Sequence, residues 1–213
     1  IEMIGLIKYG KLKDYMKNHI KLIKHLEGGF ESPAVYKDFF STKLLDQITS
    51  KIPDPPNDPE KMKPLTQNGE HWDNLGGFIS LNDDKEICKK IWNEVNSVYD
   101  TSLINWYDCG IQIFEGFTYL PWHDDASYSF TMTTYLTPGV WDWNWGGALL
   151  CKHKDGNITA EFPEYNKTVF ISGTYSKDND MAHGISFMHP SSSLRLSLQL
   201  FGSTEKSNPA LTN

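Results

Sequence analysis

Two side chains that could bind a metal ion lie close together in the segment 119–125: His123 and Asp125. In an extended strand, side chains two positions apart point to the same face, so this imidazole and this carboxylate would project together. Asp124 would point to the opposite face, and we expect it to be a surface group or a group that supports the ligands from behind. A second histidine from a neighbouring strand would complete the two-histidine, one-carboxylate arrangement that binds non-haem Fe(II) and leaves coordination positions open.

Arg195 is the second residue with chemical consequences, because it is the single arginine among twenty basic residues. Arginine offers a planar fork that grips a carboxylate with two parallel hydrogen bonds, which lysine cannot do. In the segment 194–201 leucines occupy every second position, so period two places them on one face and Arg195 with Ser197 on the other. A buried arginine needs an anionic partner. The sequence leaves two choices open, an acidic side chain or a dicarboxylate ligand.

Three amphipathic helices are predicted in the N-terminal half. The first covers residues 6–26, and its apolar stripe among lysines is expected to dock on the domain and not on a membrane. The second begins after Ser41 or Thr42 and extends to Ile52, and the third runs from Asn82 to about Tyr99. Between them, residues 53–64 contain five prolines and form a loop, which is either an ordinary connection or a flap near a site.

Beyond Asn105 the pattern changes to short alternating segments separated by turn residues. It predicts strands near 108–119, 128–137, 147–153, 157–162, 167–172, 182–188 and 193–201, with a hairpin turn at 154–157. Short strands at this spacing are typical of an antiparallel sandwich or jelly roll. The chain is predicted to be mainly β with N-terminal helices.

The order of the motifs resembles the Fe(II)- and 2-oxoglutarate-dependent dioxygenases, specifically the prolyl 4-hydroxylase-like branch. That family has His-x-Asp, a Gly-Gly strand, a distal histidine, and an arginine or lysine about ten residues further on. This chain has His123-Asp124-Asp125, then Gly146-Gly147, then His183, then Arg195-Leu196-Ser197. The resemblance covers roughly residues 108–202. It implies a double-stranded β-helix (jelly roll) packed against helices.

The domain organisation follows from this resemblance and from the change of pattern along the chain. We expect an N-terminal helical and loop support region at 1–104, a double-stranded β-helix catalytic core at 105–202, and a tail at 203–213, in one domain overall.

The resemblance also implies residue roles. His123, Asp125 and His183 would be the metal ligands and thus the catalytic centre. Arg195 would bind the distal carboxylate of 2-oxoglutarate, assisted by Ser197.

Two further positions match the family pattern. Tyr135 matches a tyrosine that often hydrogen-bonds the same carboxylate. Phe114 stands where the family has a second tyrosine, so that contact is lost and the substrate side of the pocket is expected to differ.

The implied reaction is the hydroxylation of an unactivated C–H bond, with Fe(II), 2-oxoglutarate and O2 required and ascorbate expected to support turnover. A prolyl residue in a peptide or protein is the leading substrate. Trp141, Trp143 and Trp145 could form a substrate-facing aromatic rim, because aromatic faces suit a proline ring. The same motifs also occur in relatives that act on free amino acids and other small molecules.

The other histidines are given different interpretations. His189 is the competing ligand candidate, but it is only six residues from Arg195 and follows a predicted strand end. His153 beside the hairpin turn is expected to be solvated. The remaining three, His19, His25 and His71, fall in the helical half.

The amino-acid composition disfavours some classes of function, namely binding to nucleic acid and insertion in a membrane. A net charge of −7 and a pI near 5.5 disfavour nucleic acid as a partner. No window reaches the ~18 apolar residues of a membrane span. Three widely spaced cysteines indicate reduced, buried thiols in a reducing compartment, so we expect a cytoplasmic protein.

Two alternatives compete with a 2-oxoglutarate dioxygenase. One is a metal-dependent jelly-roll enzyme that does not use 2-oxoglutarate, against which the inward Arg195 and Ser197 argue. The other is a non-catalytic jelly-roll binding module, against which the presence of all three ligands together with the arginine argues.

Overall fold

The computed structural model describes residues 33–54, 56, 60, 63–64, 66–67, 70–71, 76–97, 104–125, 128–153, 156–172 and 182–203. The helix predicted at 6–26 lies outside these residues, as do half of the proline-rich loop and the tail beyond Ser203. The N-terminal elements described are β1 (Ala34–Tyr36), α1 (Thr42–Thr49), β2 (Lys63–Pro64), β3 (Thr66–Gln67), β4 (Glu70–His71), β5 (Gly77–Ser80) and α2 (Lys85–Asn96). The later elements are β6 (Trp106–Phe114), β7 (Leu120–His123), β8 (Phe130–Tyr135), a 3-10 turn (Trp143–Trp145), β9 (Leu149–Lys152), β10 (Ile158–Glu161), β11 (Thr168–Ser172), β12 (His183–Ile185) and β13 (Arg195–Ser203).

Both predicted helices that fall in the described residues are present, α1 and α2. The second begins at Lys85 and not at Asn82, because the Asp84 carboxylate accepts a hydrogen bond from the Ile87 amide and caps the first turn. Ser41 precedes the first helix, but its hydroxyl donates to Glu94 at 2.6 Å and ties the two helices together instead of capping. Both helices are too short and too polar to cross a bilayer.

Two antiparallel sheets form the body of the fold. The larger has the order β1-β11-β8-β13-β6-β5-β2, and the smaller has the order β10-β9-β12-β7. Strand β13 is central in the larger sheet, paired with β6 on one side and β8 on the other. This two-sheet antiparallel architecture beside helices confirms the predicted jelly-roll class.

The two faces of β13 are as different as the alternation predicts. Leu198 and Leu200 are buried in a core cluster that contains the apolar residues of both helices, and Leu194 and Leu196 pack against it. Arg195 and Ser197 are fully buried on the opposite face. The larger sheet therefore has an apolar helix-facing side and a polar inner side.

Two features of the fold differ from the sequence-based expectation. The predicted strand 108–119 is two strands, because the chain turns at Glu115–Thr118 with Phe117 at a φ of 68°. Strands β1 and β5 were not predicted, yet both belong to the larger sheet. They are only three and four residues long, which is too short for an alternating pattern of apolar and polar residues to be recognised in the sequence. All three cysteines are buried and free, as expected.

Candidate metal centre

His123 is the final residue of β7, and a backbone contact fixes its ring. Its Nδ1 lies 2.8 Å from the Pro121 carbonyl oxygen. A carbonyl only accepts, so Nδ1 carries the proton and the Nε2 lone pair is available to a metal. Burial, followed by the nearby His183, lowers the pKa of His123. The ring is therefore neutral at neutral pH, which is the form that binds metals.

Asp125 lies two residues after the end of β7 and turns its carboxylate toward both histidines. Its Oδ2 is 3.2 Å from His183 Nε2, and its Oδ1 is 3.9 Å from His123 Nε2. Burial raises the pKa of Asp125, but the attraction of His183 and His123 and a hydrogen bond from Thr131 outweigh it, so the pKa is lowered. Asp125 is thus an anion although its side chain is only 12% exposed.

His183 comes from β12, which lies between β9 and β7 in the smaller sheet. It is paired in register with His123, and the two ring centroids are 4.3 Å apart. The next residue must be small, because a Cβ on Gly184 would lie 2.7 Å from the Leu120 carbonyl oxygen. This glycine lets β12 approach β7 closely enough for the rings to face each other.

The ligand atoms of His123, Asp125 and His183 all lie within 4.8 Å of one another, so one ion could contact all three. Asp124 is exposed and outside this cluster. His189 is also exposed and outside it, with its Nδ1 2.8 Å from the Ser191 hydroxyl. Two nitrogens and one carboxylate are a donor set that suits Fe(II). The sequence-predicted triad is brought together as expected.

Arg195 lines the same cavity as this cluster and is 0% exposed. Its Nε donates to the Gly147 carbonyl at 2.9 Å and its Nη1 donates to the Ser197 hydroxyl at 3.3 Å. Its Nη2 has no hydrogen-bond partner of good geometry among the described residues. Burial lowers the pKa of Arg195, against the opposing effect of the nearby Tyr135 side chain. No Asp or Glu of the described ranges forms an ion pair with it, so the acidic side chain that was one of the two expected partners is not found there.

Two aromatic rings flank the guanidinium. Its Cζ lies 5.0 Å from the centroid of Tyr135 and 5.4 Å from that of Phe114. The Tyr135 hydroxyl donates to the Glu161 carbonyl at 2.8 Å, and burial raises its pKa to about 12. Tyr135 is therefore next to Arg195, where the prediction placed it, with its proton directed at the backbone.

The predicted substrate residues are only partly where the sequence suggested. Phe114 is 0% exposed and Trp141 is 6% exposed, and both pack in an interior cluster with Ile185 and Met188. These two side chains therefore do not form part of an exposed rim, and their role toward the substrate stays a prediction. The indole nitrogen of Trp141 donates to the Gly146 carbonyl at 2.9 Å, which satisfies its polar group in this buried position. Trp143 is 77% exposed.

The solvated position expected for His153 is also wrong. It is 7% exposed, and its Nε2 lies 2.9 Å from the Thr159 hydroxyl across the β9–β10 hairpin. The hairpin itself is present, since Lys152 pairs with Ile158.

Four polar residues of the cavity were missed: Gln112, Thr131, Thr133 and Gln199. They lie on the inner faces of β6, β8 and β13. The signal was available for Gln199, which shares the alternation of Arg195 and Ser197. For the threonines it was weak, because threonine is common in any strand.

Two facing antiparallel sheets with this cluster between them define a double-stranded β-helix protein with a candidate metal centre. Its fold is similar to that of a Trichoplax adhaerens prolyl hydroxylase, solved with a hypoxia inducible factor oxygen degradation domain peptide fragment. The TM-score is 0.73 at 13% identity, over 93% of this chain and 95% of the other. A Pseudomonas putida prolyl-4-hydroxylase gives 0.61 at 15% identity, over 85% and 98%.

A third similar structure, from Burkholderia pseudomallei, is an oxidoreductase of the 2OG-Fe(II) oxygenase family. Its TM-score is 0.57 at 14% identity, over 82% of this chain and 86% of the other. No protein-family model and no curated protein sequence matches the chain. The predicted resemblance to the prolyl 4-hydroxylase-like branch is thus confirmed in the fold, through structures that share few residues with this chain.

Proposed function

We propose that the protein is an Fe(II)- and 2-oxoglutarate-dependent dioxygenase that hydroxylates an unactivated C–H bond. One observation carries this proposal: a single cavity is lined by the His123, Asp125 and His183 cluster and by Arg195 with its unpartnered Nη2. The first feature suits a metal ion and the second suits an anion. A dicarboxylic keto acid that also binds the metal satisfies both.

His123, Asp125 and His183 would hold the iron. Asp125 contributes one negative charge and the histidines contribute neutral nitrogens, which leaves the other coordination positions to exogenous ligands. The Pro121 carbonyl fixes the His123 ring, as hydrogen-bonded partners of metal-binding histidines generally do.

Arg195 would hold the distal carboxylate of 2-oxoglutarate through Nη2. The guanidinium is already fixed by Gly147 and Ser197, so little conformational freedom remains to be lost on binding. Burial lowers its pKa, yet arginine stays charged in proteins. The Tyr135 ring supports the guanidinium, and its hydroxyl could donate to the carboxylate only by giving up the Glu161 carbonyl.

Iron and 2-oxoglutarate, held by these residues, would supply the chemistry of O2 activation and hydroxylation. The chain holds the ligands, orients the keto acid and keeps bulk water away from the centre. Water is kept away by apolar residues, since Leu120, Leu149 and Ile185 line the cavity beside the metal-binding groups.

For the substrate, we propose a prolyl residue of a peptide or protein. The similar structures support this, since several are prolyl hydroxylases and one contains a peptide. Trp143 also supports it, because this exposed indole stacks on Phe162 at 5.7 Å and 16° and offers a flat apolar face. A free amino acid is the competing substrate. We further propose a cytoplasmic location, which three free, buried thiols support.

The test measures succinate release with Fe(II), 2-oxoglutarate, O2 and ascorbate, with and without Pro-rich peptides or free amino acids. We expect peptides to stimulate release and to gain ~16 Da, the mass of one oxygen atom. Stimulation by amino acids alone would reject the peptide substrate and keep the chemistry. Metal binding without any 2-oxoglutarate binding would favour a different metal enzyme, and loss of both would favour a binding module.

A further inference from the structure

Gln112 is a buried polar residue of the cavity that no step above uses. It lies on β6, two residues before Phe114 and on the same inner face, and it is 9% exposed. Its carboxamide forms no hydrogen bond with any of the described residues, although it lines the cavity. Its amide atoms are not fully enclosed by protein, so they are open to the cavity and to a ligand that enters it.

A second glutamine in the same cavity shows that partners are available nearby. Gln199 accepts a hydrogen bond from the Thr133 hydroxyl at 2.9 Å and donates to the Ser197 hydroxyl at 3.2 Å. Both ends of its carboxamide are therefore satisfied within the protein. Gln112 lies on the neighbouring strand in register with Ser197, and neither end of its carboxamide has a hydrogen-bond partner among the described residues.

Across from Gln112, strand β13 carries two hydrogen-bond donors that a ligand could use, on Ser197 and Arg195. The Ser197 oxygen accepts from both Arg195 Nη1 and Gln199 Nε2, which occupies its two lone pairs and leaves its own proton free to donate. Arg195 Nη2 is a buried donor without a partner. Phe114 adds no polar atom. A ligand that fits these groups must be an acceptor, and a carboxylate is the acceptor that matches the positive charge.

We propose that Gln112 is a ligand-binding residue of the co-substrate site and that its Nε2 donates to a carboxylate of 2-oxoglutarate. This inference rests on the proposed function. It assigns to the chain a donor on β6 in addition to the guanidinium on β13. The carboxylate is then held from two neighbouring strands of the larger sheet.

The test is the dissociation constant of 2-oxoglutarate, measured by calorimetry on the anaerobic Fe(II) protein. Gln112→Met keeps the length and removes the amide, whereas Gln112→Glu keeps the shape and replaces the donor by a negative charge. We expect a loss of about ten- to a hundredfold for Gln112→Met, the value of a hydrogen bond to a charged group. The loss should be larger for Gln112→Glu. Gln47→Glu on α1, whose side chain contacts Lys90, is the matched control and should bind normally.

Iron binding by each variant, titrated without keto acid, shows whether the fold is intact. Normal iron binding and normal 2-oxoglutarate affinity in Gln112→Met would overturn the inference and leave the proposed function standing. Normal affinity combined with weaker peptide stimulation would also overturn it, by assigning Gln112 to the substrate. Failure of the wild type to bind 2-oxoglutarate would reject the proposed function together with the inference.

Discussion

Replacing Arg195 by methionine tests the proposed anion site through protein stability. Methionine keeps an unbranched side chain of similar length and removes the charge and all donors. The change takes away the Nε hydrogen bond to Gly147 and the Nη1 hydrogen bond to Ser197, and it removes the unpartnered Nη2. Ser197 keeps its hydrogen bond from Gln199.

The magnitude without ligand follows from these contacts. Leaving the Gly147 carbonyl unsatisfied costs about 1–3 kcal/mol. Removing a buried cation that has no anionic partner among the described residues recovers several kcal/mol, because that charge no longer has to be desolvated on folding. We therefore expect the unliganded Arg195→Met protein to unfold at or above the temperature of the wild type.

With 2-oxoglutarate bound, the order of thermal stability should be reversed, and the wild type should unfold at the higher temperature. At 2-oxoglutarate concentrations a hundred times the wild-type dissociation constant, binding stabilises the native state by about 2.7 kcal/mol. For a chain of this size that is a rise in Tm of about 5–10 °C. Arg195→Met should show almost none of this rise.

Anaerobic thermal unfolding with Fe(II), with and without 2-oxoglutarate, measures both effects. Arg195→Lys should retain part of the rise, because it keeps the charge and loses the fork. An equal rise in wild type and Arg195→Met would refute the assignment of Arg195 to the keto acid. A large fall in the unliganded Tm would show instead that the guanidinium is a structural group.

The remaining predictions concern the metal and the substrate. His183→Ala should abolish the visible band of Fe(II) with bound 2-oxoglutarate, whereas His189→Ala should leave it intact, and the opposite result would overturn the ligand choice. Asp125→Ala should weaken iron binding far more than Asp124→Ala in a metal titration, because only Asp125 faces both histidines; equal effects would contradict this. Trp143→Ala should reduce peptide-stimulated succinate release and change stability by no more than about 0.5 kcal/mol, since the residue is exposed. Unchanged stimulation would exclude Trp143 from the substrate site.

The parts of the fold that follow strict period two could be predicted from the sequence. Leu198 and Arg195 occupy opposite faces of β13 because every second residue of a strand faces the same way. The order of His123, Asp125 and His183 along the chain indicated the metal cluster, and β7 and β12 pair in a way that brings these residues together. For β13 and for the metal cluster, the pattern in the sequence and the three-dimensional arrangement therefore agree.

The errors arise where the backbone leaves regular structure. Trp141 and Trp143 were expected to share a rim, but the 3-10 turn at Trp143–Trp145 and the φ of 68° at Gly146 turn one indole inward and leave the other exposed. His153 is buried because its ring reaches across the hairpin to Thr159. Such contacts depend on how the chain turns, and residue spacing does not encode them.

The central place of β13 in the larger sheet has a consequence for the order of folding. Nine residues of β13 pair with β6 and six pair with β8, and the paired residues come roughly 60 to 100 positions earlier in the chain. A ribosome that has released residues 106–172 has therefore delivered two strands whose common neighbour is still missing. Pairings between residues so far apart in sequence form slowly, because the entropy of closing a large loop is lost before any stabilising contact forms. During synthesis the edges of β6 and β8 that pair with β13 therefore stay unpaired. The cavity can form only after residues 195–203 have been synthesised and have inserted between these two strands.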